Sequence, residues 1–288
     1  MEKDKMPKVS IVTPSYNQGE YIEQTIKSVV EQDYPNLEYI IIDGGSTDNS
    51  VDIIKKYAEN NSFISWISEK DRGQSHAINK GFKRCTGEIV AWLNSDDVYE
   101  NDAIENQVRV LNENPEVMLV YGDAIIEDEV TGIREKFKTA EPFDYYRLIH
   151  VNHMIMQPTT FWRRELFDKI GYLDESLNYT MDWEFWIRAG KEHKIMYNPV
   201  VIARAKDYKT TKTFSGGFPR LKEIKMIQNK YGWEKHPRLY KSYFYDTLHK
   251  MVYRYSPGIA NFIKNSLIRI RDLIFGKKKK STGQNFDN

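Results

Sequence analysis

The sequence predicts an α/β protein: an open, twisted, mostly parallel sheet with helices on both faces, followed by a C-terminal helical extension. Three observations carry this. Short apolar, β-branched runs at residues 9–13, 37–42, 63–68 and 89–93 alternate with stretches whose apolar residues recur at helical spacing. Each run ends in a polar loop rich in Asp, Gly or Ser, and ligands bind at the carboxyl ends of strands in such sheets. Beyond residue 216, helical periodicity continues with no further strand pattern.

The first strand, Val9-Ser10-Ile11-Val12-Thr13, stops at Pro14 and opens a loop at Ser15-Tyr16-Asn17. Residues 19–32 follow with Tyr21, Ile22, Ile26, Val29 and Val30 on one side of a helix. The second strand, residues 37–42, ends in Asp43-Gly44-Gly45-Ser46-Thr47-Asp48, where the glycines permit a tight turn and Ser46, Thr47 or Asp48 can cap the helix at 49–60. The third, residues 63–68, ends in Glu69-Lys70-Asp71-Arg72-Gly73 and leads to a helix containing Ala77, Ile78 and Phe82. The fourth is Ile89-Val90-Ala91-Trp92-Leu93, five apolar residues that run into Asn94-Ser95-Asp96-Asp97. A helix at 101–114, a strand at 118–123, a strand at 159–162 and a helix opening at Arg163 continue the pattern. Residues 204–217 read as a polar, basic, glycine-ended loop able to bring Arg204 or Lys206 near an anionic group.

A chain of 288 residues with 40% hydrophobic and 29% charged content is long enough for a large α/β domain and an appendage. The single cysteine, Cys85, excludes an intramolecular disulfide and fits a reducing compartment. The charged start, Met1-Glu2-Lys3-Asp4-Lys5, predicts no signal peptide, and no apolar run reaches the ~18 residues of a membrane-spanning helix. The net charge of +1 conceals an asymmetry: from His236 onward, 11 Lys/Arg face 3 Asp, a balance of +8 that leaves −7 on the rest. Nothing in this pattern points to nucleic acid as a partner.

Adjacent carboxylates at Asp96 and Asp97 are costly unless a cation neutralises them, and hard oxygen ligands suit Mg²⁺ or Mn²⁺ shared with phosphates. The plainer alternative makes Asp96 a turn residue or helix cap. There is no Gly-x-Gly-x-x-Gly after the first strand and no Gly-x-x-x-x-Gly-Lys-Ser/Thr, which argues against dinucleotide oxidoreductases and P-loop ATPases. Thr-Pro-x-Tyr-Asn at 13–17, Asp-Gly-x-Ser-x-Asp at 43–48, the glycine-to-glycine helix after Arg72, and Ser-Asp-Asp at 95–97 together resemble glycosyltransferase family 2. A further match from Gln157-Pro158 to Arg188 extends the resemblance to about 210 residues.

The resemblance implies a GT-A-type fold and an inverting transfer of a sugar from a nucleotide-sugar, with Mn²⁺ or Mg²⁺ as cofactor. It implies that Thr13, Pro14, Tyr16, Asp43, Arg72 and Asp97 bind the nucleotide-sugar, with Asp43 at the base, and that Asp96 and Asp97 hold the metal. Asn94 stands where many members have a third aspartate. It also implies that Asp182, in Met181-Asp182-Trp183-Glu184, is the general base, with Met181 where a glutamate is usual. Each residue has a structural alternative: loop capping for Asp43, packing for Pro14, a surface ion pair with Asp71 or Glu69 for Arg72, and helix capping for Asp182. Glu184 falls on another side of the helix and reads as structural or acceptor-contacting.

The expected organisation is a catalytic domain at 1–215, divided at 122/123 into nucleotide-sugar and acceptor halves, and an extension at 216–288. In that extension Ile259, Phe262, Ile263, Leu267, Ile270 and Ile274 make a stripe beside Lys264, Arg269 and Arg271, followed by four lysines at 277–280. A basic amphipathic helix suits an anionic membrane surface, and a stripe docked on the body or on a second subunit is the competing reading. The function expected is a UDP-sugar-dependent hexosyl or N-acetylhexosaminyl transfer to a saccharide or lipid-linked saccharide at the cytoplasmic membrane face, in surface glycan synthesis. A sugar-nucleotide-making nucleotidyltransferase would need a Gly-rich basic loop after the first strand, which Pro14-Ser15-Tyr16-Asn17 is not. A non-catalytic sugar-nucleotide-binding subunit would have no use for Asp43, Asp96, Asp97 and Asp182 together.

Overall fold

The computed structural model describes residues 6–137, 140–150, 154–208 and 211–232, with Phe244, Thr247 and Leu248 beyond them. Four strands form a parallel half-sheet: β1 (Val9–Ser15), β2 (Leu37–Asp43), β3 (Ile64–Ser68) and β4 (Ile89–Trp92), in the order β3-β2-β1-β4. The helices α1 (Ile22–Val30), α2 (Ser50–Asn60) and α3 (Gln74–Phe82) connect them. The second half adds β5 (Val98–Tyr99), α4 (Ala103–Glu113), β6 (Val117–Asp128), β7 (Arg134–Lys136), α5 (Tyr145–His150), β8 (Phe161–Arg163), α6 (Leu166–Ile170), α7 (Met181–Glu192), β9 (Lys194–Asp207), α8 (Lys212–Ser215) and α9 (Gly217–Tyr231). The path continues β4-β8-β6-β9-β5, with β7 on β6. From the ladders, β6 and β9 run in the direction of β1–β4, while β5, β7 and β8 run against it. The sheet is therefore mostly parallel, as its apolar runs foretell.

Alternation along the strands makes two cores. Val9, Ile11, Tyr39 and Ile41 face a cluster with Ile22, Ile26, Ile54, Ile104 and Leu111 of α1, α2 and α4. Val12, Ile40 and Ile42 face the opposite cluster, built by α3, α5, α6, α7 and α9. The second core centres on aromatic rings: Trp92 of β4 stacks on Trp186 of α7 at 5.8 Å between centroids, and Trp162 of β8 meets Phe82, Phe185 and Trp186 edge-on or tilted. Each such ring buries 150–250 Å², so α7 is fixed to the sheet by this wedge.

Three segments differ from the sequence reading. Residues 204–207 belong to β9 and not to a loop, because they pair with β6 over Ile125–Asp128 and, at Arg204, with β5. The strand expected at 118–123 extends through Asp128 for the same reason. Finally, α9, assigned by sequence to the extension, buries Leu221, Ile224 and Ile227 in the second core. The stripe from Ile259 to Ile274 and the lysines at 277–280 lie outside the described residues. Among the described residues, no helix is long and apolar enough to cross a membrane.

Candidate active site

The carboxyl ends of β1, β2, β3 and β4 open onto one edge of the sheet, where two clefts of about 560 and 440 Å³ adjoin. The larger is walled by Pro14, Tyr16, Gly44, Gly45, Lys70 and Asp71, and the smaller by Asp97, Gln157, Tyr179, Asp182 and Trp183. Gln74, Asn94, Asp96, Thr211 and Lys212 line both, so they form a shared wall. The sheet thus brings Pro14, Tyr16, Asp96, Asp97 and Asp182, all singled out by sequence, to one place.

Asp97 is 6% exposed, and its Oδ2 accepts an N–H from Asn94 Nδ2 at 3.0 Å. Burial, then the neighbouring Asp96 charge, pushes its carboxyl well above the ordinary value. Burial likewise raises Asp96, against the pull of the Tyr208 hydroxyl, which donates to Asp96 Oδ2 at 2.7 Å, and of Lys206. Tyr208 itself stacks on Tyr21 at 5.1 Å, and Lys206 Nζ sits 4.8 Å over the Tyr21 ring. One buried and one half-buried carboxylate, both raised above their ordinary value, make a hard-oxygen site short of positive charge. That donor set fits Mg²⁺ or Mn²⁺, which take one or two carboxylates and complete their shell with phosphates. Among the described residues, no group of three or more His, Cys, Asp or Glu could hold a metal. A metal ion held there would have to complete its shell with oxygens from outside the protein, as Mg²⁺ and Mn²⁺ do with phosphates. Asn94 is held away from such a role: its amide bridges Asp97 and Gln157, and its oxygen accepts from Gln74 Nε2 at 2.9 Å.

Three residues are placed otherwise than the sequence reading expects. Asp43 is fully buried, and its own surroundings occupy both oxygens: Oδ2 accepts from the Gly45 and Ser46 N–H groups and from Ser68 Oγ, Oδ1 from Ser46 Oγ at 2.5 Å. It lines neither cleft. The loop-holding alternative describes this geometry. Thr13 is also buried and off the clefts, with its hydroxyl 2.9 Å from Tyr39 OH. Arg72 is 72% exposed at its side chain, is not among the residues lining either cleft, and pairs with Glu175 at 2.6 Å where the structural alternative had Asp71 or Glu69.

Asp71, which the sequence reading leaves aside in favour of Arg72, is the second carboxylate, beside Asp96, that lines the larger cleft. Its Oδ1 pairs with Lys80 Nζ at 2.5 Å, its side chain is 9% exposed, and its buried Oδ2 has no hydrogen-bond partner. The signal was available: Asp71 follows a strand, the rule applied to Asp43 and Asp96. Lys212 was passed over too. Burial pushes its ammonium below the ordinary lysine value, with Glu223 acting against that. Arg204 is drawn instead to Glu100 and Glu127.

At the N-terminus of α7, Asp182 accepts the Trp183 N–H through Oδ1 at 2.7 Å. Trp183 donates its indole N–H to Leu148 O at 2.9 Å. Glu184 points away from the clefts. It is 2% exposed at its side chain and is held by Arg188, Lys230 and Tyr231, which makes it a structural tie between α7 and α9.

The Glycosyl transferase family 2 model matches residues 10–171. The chain belongs to glycosyltransferase family 2. That match carries β1 to β4 with their loops and ends before Asp182. An uncharacterised glycosyltransferase of Rickettsia typhi is 30% identical over 215 residues, 72% of this chain and 67% of that protein. The putative teichuronic acid biosynthesis glycosyltransferase TuaG of Bacillus subtilis is 34% identical over 140 residues, 48% of this chain and 56% of that protein. The chain spans less than two thirds of the length of several such relatives. Among solved structures, S. aureus TarS in complex with UDP-GlcNAc superposes with a TM-score of 0.61 at 18% identity, over 86% of this chain and 73% of that one. The mannosyltransferase PcManGT of Pyrobaculum calidifontis, in complex with GDP-Man and Mn²⁺, gives 0.60 at 19%, over 93% and 81%. These likenesses show that this family 2 member has the GT-A fold.

Proposed function

We propose that the protein is an inverting, metal-dependent glycosyltransferase. It moves a hexosyl or N-acetylhexosaminyl group from a UDP-sugar to a hydroxyl of a saccharide or lipid-linked saccharide in cell-surface glycan synthesis. The observation that carries this reading is that Asp96 and Asp182 line one cleft, from the end of β4 and the start of α7. Asp96, with Asp97 beside it, would hold Mn²⁺ or Mg²⁺, which when bound offsets the charge of the departing diphosphate. The acceptor oxygen attacks the anomeric carbon, the bond from that carbon to the diphosphate oxygen breaks, and the nucleoside diphosphate leaves. Asp182 takes the hydroxyl proton, and one base suffices for a single displacement. Lys212 on the shared wall is a cation within reach of the same anion. Relatives named for teichuronic acid and PGL/p-HBAD biosynthesis support a surface glycan as product.

Within this reading the uracil ring enters the larger cleft, where the Tyr16 ring is 62% exposed and Asp71 Oδ2 awaits a donor. A carboxylate oxygen accepts the ring N–H of uracil or guanine and meets only a lone pair on N3 of cytosine. A panel of nucleotide-sugars, read by calorimetry and by metal-dependent release of nucleotide, tests the function. UDP-sugars should bind and turn over, and CDP-sugars should not. Asp71→Ala should weaken UDP about tenfold or more, the cost of one charge-assisted hydrogen bond. Asp43→Ala, which dismantles the loop, should weaken UDP and GDP alike. If Asp71→Ala bound UDP normally while Asp43→Ala lost UDP selectively, Asp43 would be the base reader after all.

We propose that the tail attaches peripherally to an anionic membrane at its cytoplasmic face, supported by the +8 balance from His236 onward. Full-length protein should float with vesicles containing anionic lipid and be released as salt shortens the reach of charge to about 8–10 Å. Protein truncated after Tyr255 should not float. Salt-independent monodispersity of the full chain with no flotation would point to a tail docked on protein.

A further inference from the structure

The loop at 178–180 leads directly into α7 and Asp182, yet what holds it comes from 45 residues downstream. Glu223 of α9 accepts the Asn178 N–H at 2.9 Å on Oε1, and the Tyr179 N–H at 2.8 Å and the Thr180 hydroxyl at 3.0 Å on Oε2. Three donors meet one carboxylate, a charge-assisted arrangement about twice as strong per bond as its neutral counterpart. From the other side, Lys212 Nζ donates to the Asn178 carbonyl at 3.1 Å. The segment also packs closely on the loop: a Cβ at Gly216 would lie 2.9 Å from the Tyr179 ring. Thr180 precedes α7 without a capping bond from its own side chain, because its hydroxyl is given to Glu223 instead.

We infer that Glu223 is a positioning residue for Asp182: by gripping the backbone ahead of α7 it fixes where that carboxylate stands over the acceptor cleft. The inference rests on the reading of Asp182 as base. Glu223 lies outside both clefts and touches no substrate. Its effect passes through the loop, and a misplacement of about 1 Å at a reacting group costs on the order of 100-fold in rate. Because α9 lies beyond the family match at 10–171, the last turn of the active site is set by a part of the chain that match does not cover.

The experiment compares Glu223→Gln, which keeps size and loses the charge, with Glu223→Asp, which keeps the charge and retracts it by one methylene. Both are made in the full chain, alone and with Asp182→Asn. Amide hydrogen exchange at Asn178 and Tyr179 reports the grip with no substrate present. Turnover is read as nucleotide released from the nucleotide-sugar that the panel above selects. Glu223→Gln should speed exchange at both amides about tenfold or more and lower kcat by about 10- to 100-fold, with KM for the donor unchanged within about twofold. Glu223→Asp should restore part of both. In the Asp182→Asn background, Glu223→Gln should lower turnover no further, because two residues acting through one function are not additive. Unchanged exchange, or unchanged kcat in Glu223→Gln while Asp182→Asn is inactive, overturns the inference. So does a full multiplicative loss in the double variant, which would make Glu223 a general stabiliser. Normal turnover by Asp182→Asn defeats the base reading instead, and the exchange data then still decide whether the grip exists.

Discussion

Asp182→Asn is expected to lower turnover by about 10²–10⁴ while donor binding and melting temperature stay close to the parent. The amide keeps the shape of the side chain and its ability to accept the Trp183 N–H through Oδ1, so the start of α7 survives. What it cannot do is take a proton. Calorimetry with UDP and Mn²⁺, beside a turnover assay, separates the two. Were turnover normal, Asp182 would be a helix cap and no more. Glu184 would not inherit the role, since its carboxylate is buried under Arg188, Lys230 and Tyr231 on the far side of the helix.

Asp96→Asn should move two measurements in opposite directions. Metal-dependent UDP affinity should fall by more than the roughly 10–100-fold that loss of an outer-shell partner costs a metal site. The metal-free protein, in contrast, should melt at a higher temperature near neutral pH, because the substitution removes the charge that, after burial, raises the Asp97 carboxyl. The sign follows from linkage. Both carboxyls are raised in the folded protein above their ordinary value of 3.8, so the folded state holds protons that the unfolded chain has released. Stability is therefore full below that ordinary value and drains away as pH climbs toward the raised values. Adding Mn²⁺ should reverse the loss, with a larger rise in melting temperature at pH 8 than at pH 5, since protons compete for the same oxygens. Undiminished UDP affinity with metal in Asp96→Asn would remove Asp96 from the metal site.

Much of this was legible in the chain because parallel strands deliver their carboxyl ends to one edge. Apolar runs closing on Pro14, Asp43 and Asp96 were enough to place the edge, and the pattern of helices between them gave the layers. The residues that the structure places otherwise than the sequence suggests are those whose direction depends on distant partners. Arg72 looks available until Glu175, a hundred residues on, takes it. Asp43 and Asp71 are alike in sequence, each a strand-end acid before a glycine-bearing turn. Only packing decides that Ser46, Ser68 and two backbone N–H groups consume both oxygens of one and leave a single oxygen of the other without a partner. The sequence reading places no strand over β9, whose last residues, Arg204, Lys206 and Asp207, are polar and half-exposed or exposed; its strand character comes from a long ladder with β6. Glu223 offered no signal, being one charged residue on an amphipathic helix until the loop it holds is folded beneath it.

If the proposed donor fills the larger cleft and the acceptor the smaller, the wall common to the two would set the order of events. Asp96 and Lys212 border both spaces, so whatever fills the larger one rebuilds a side of the smaller. An acceptor that arrives first would meet a half-formed pocket, and one that arrives second would meet a surface made partly of its reaction partner. Initial-rate plots should therefore intersect, with the nucleotide product competing against the donor alone, which is the kinetic signature of a compulsory sequence written into shared side chains.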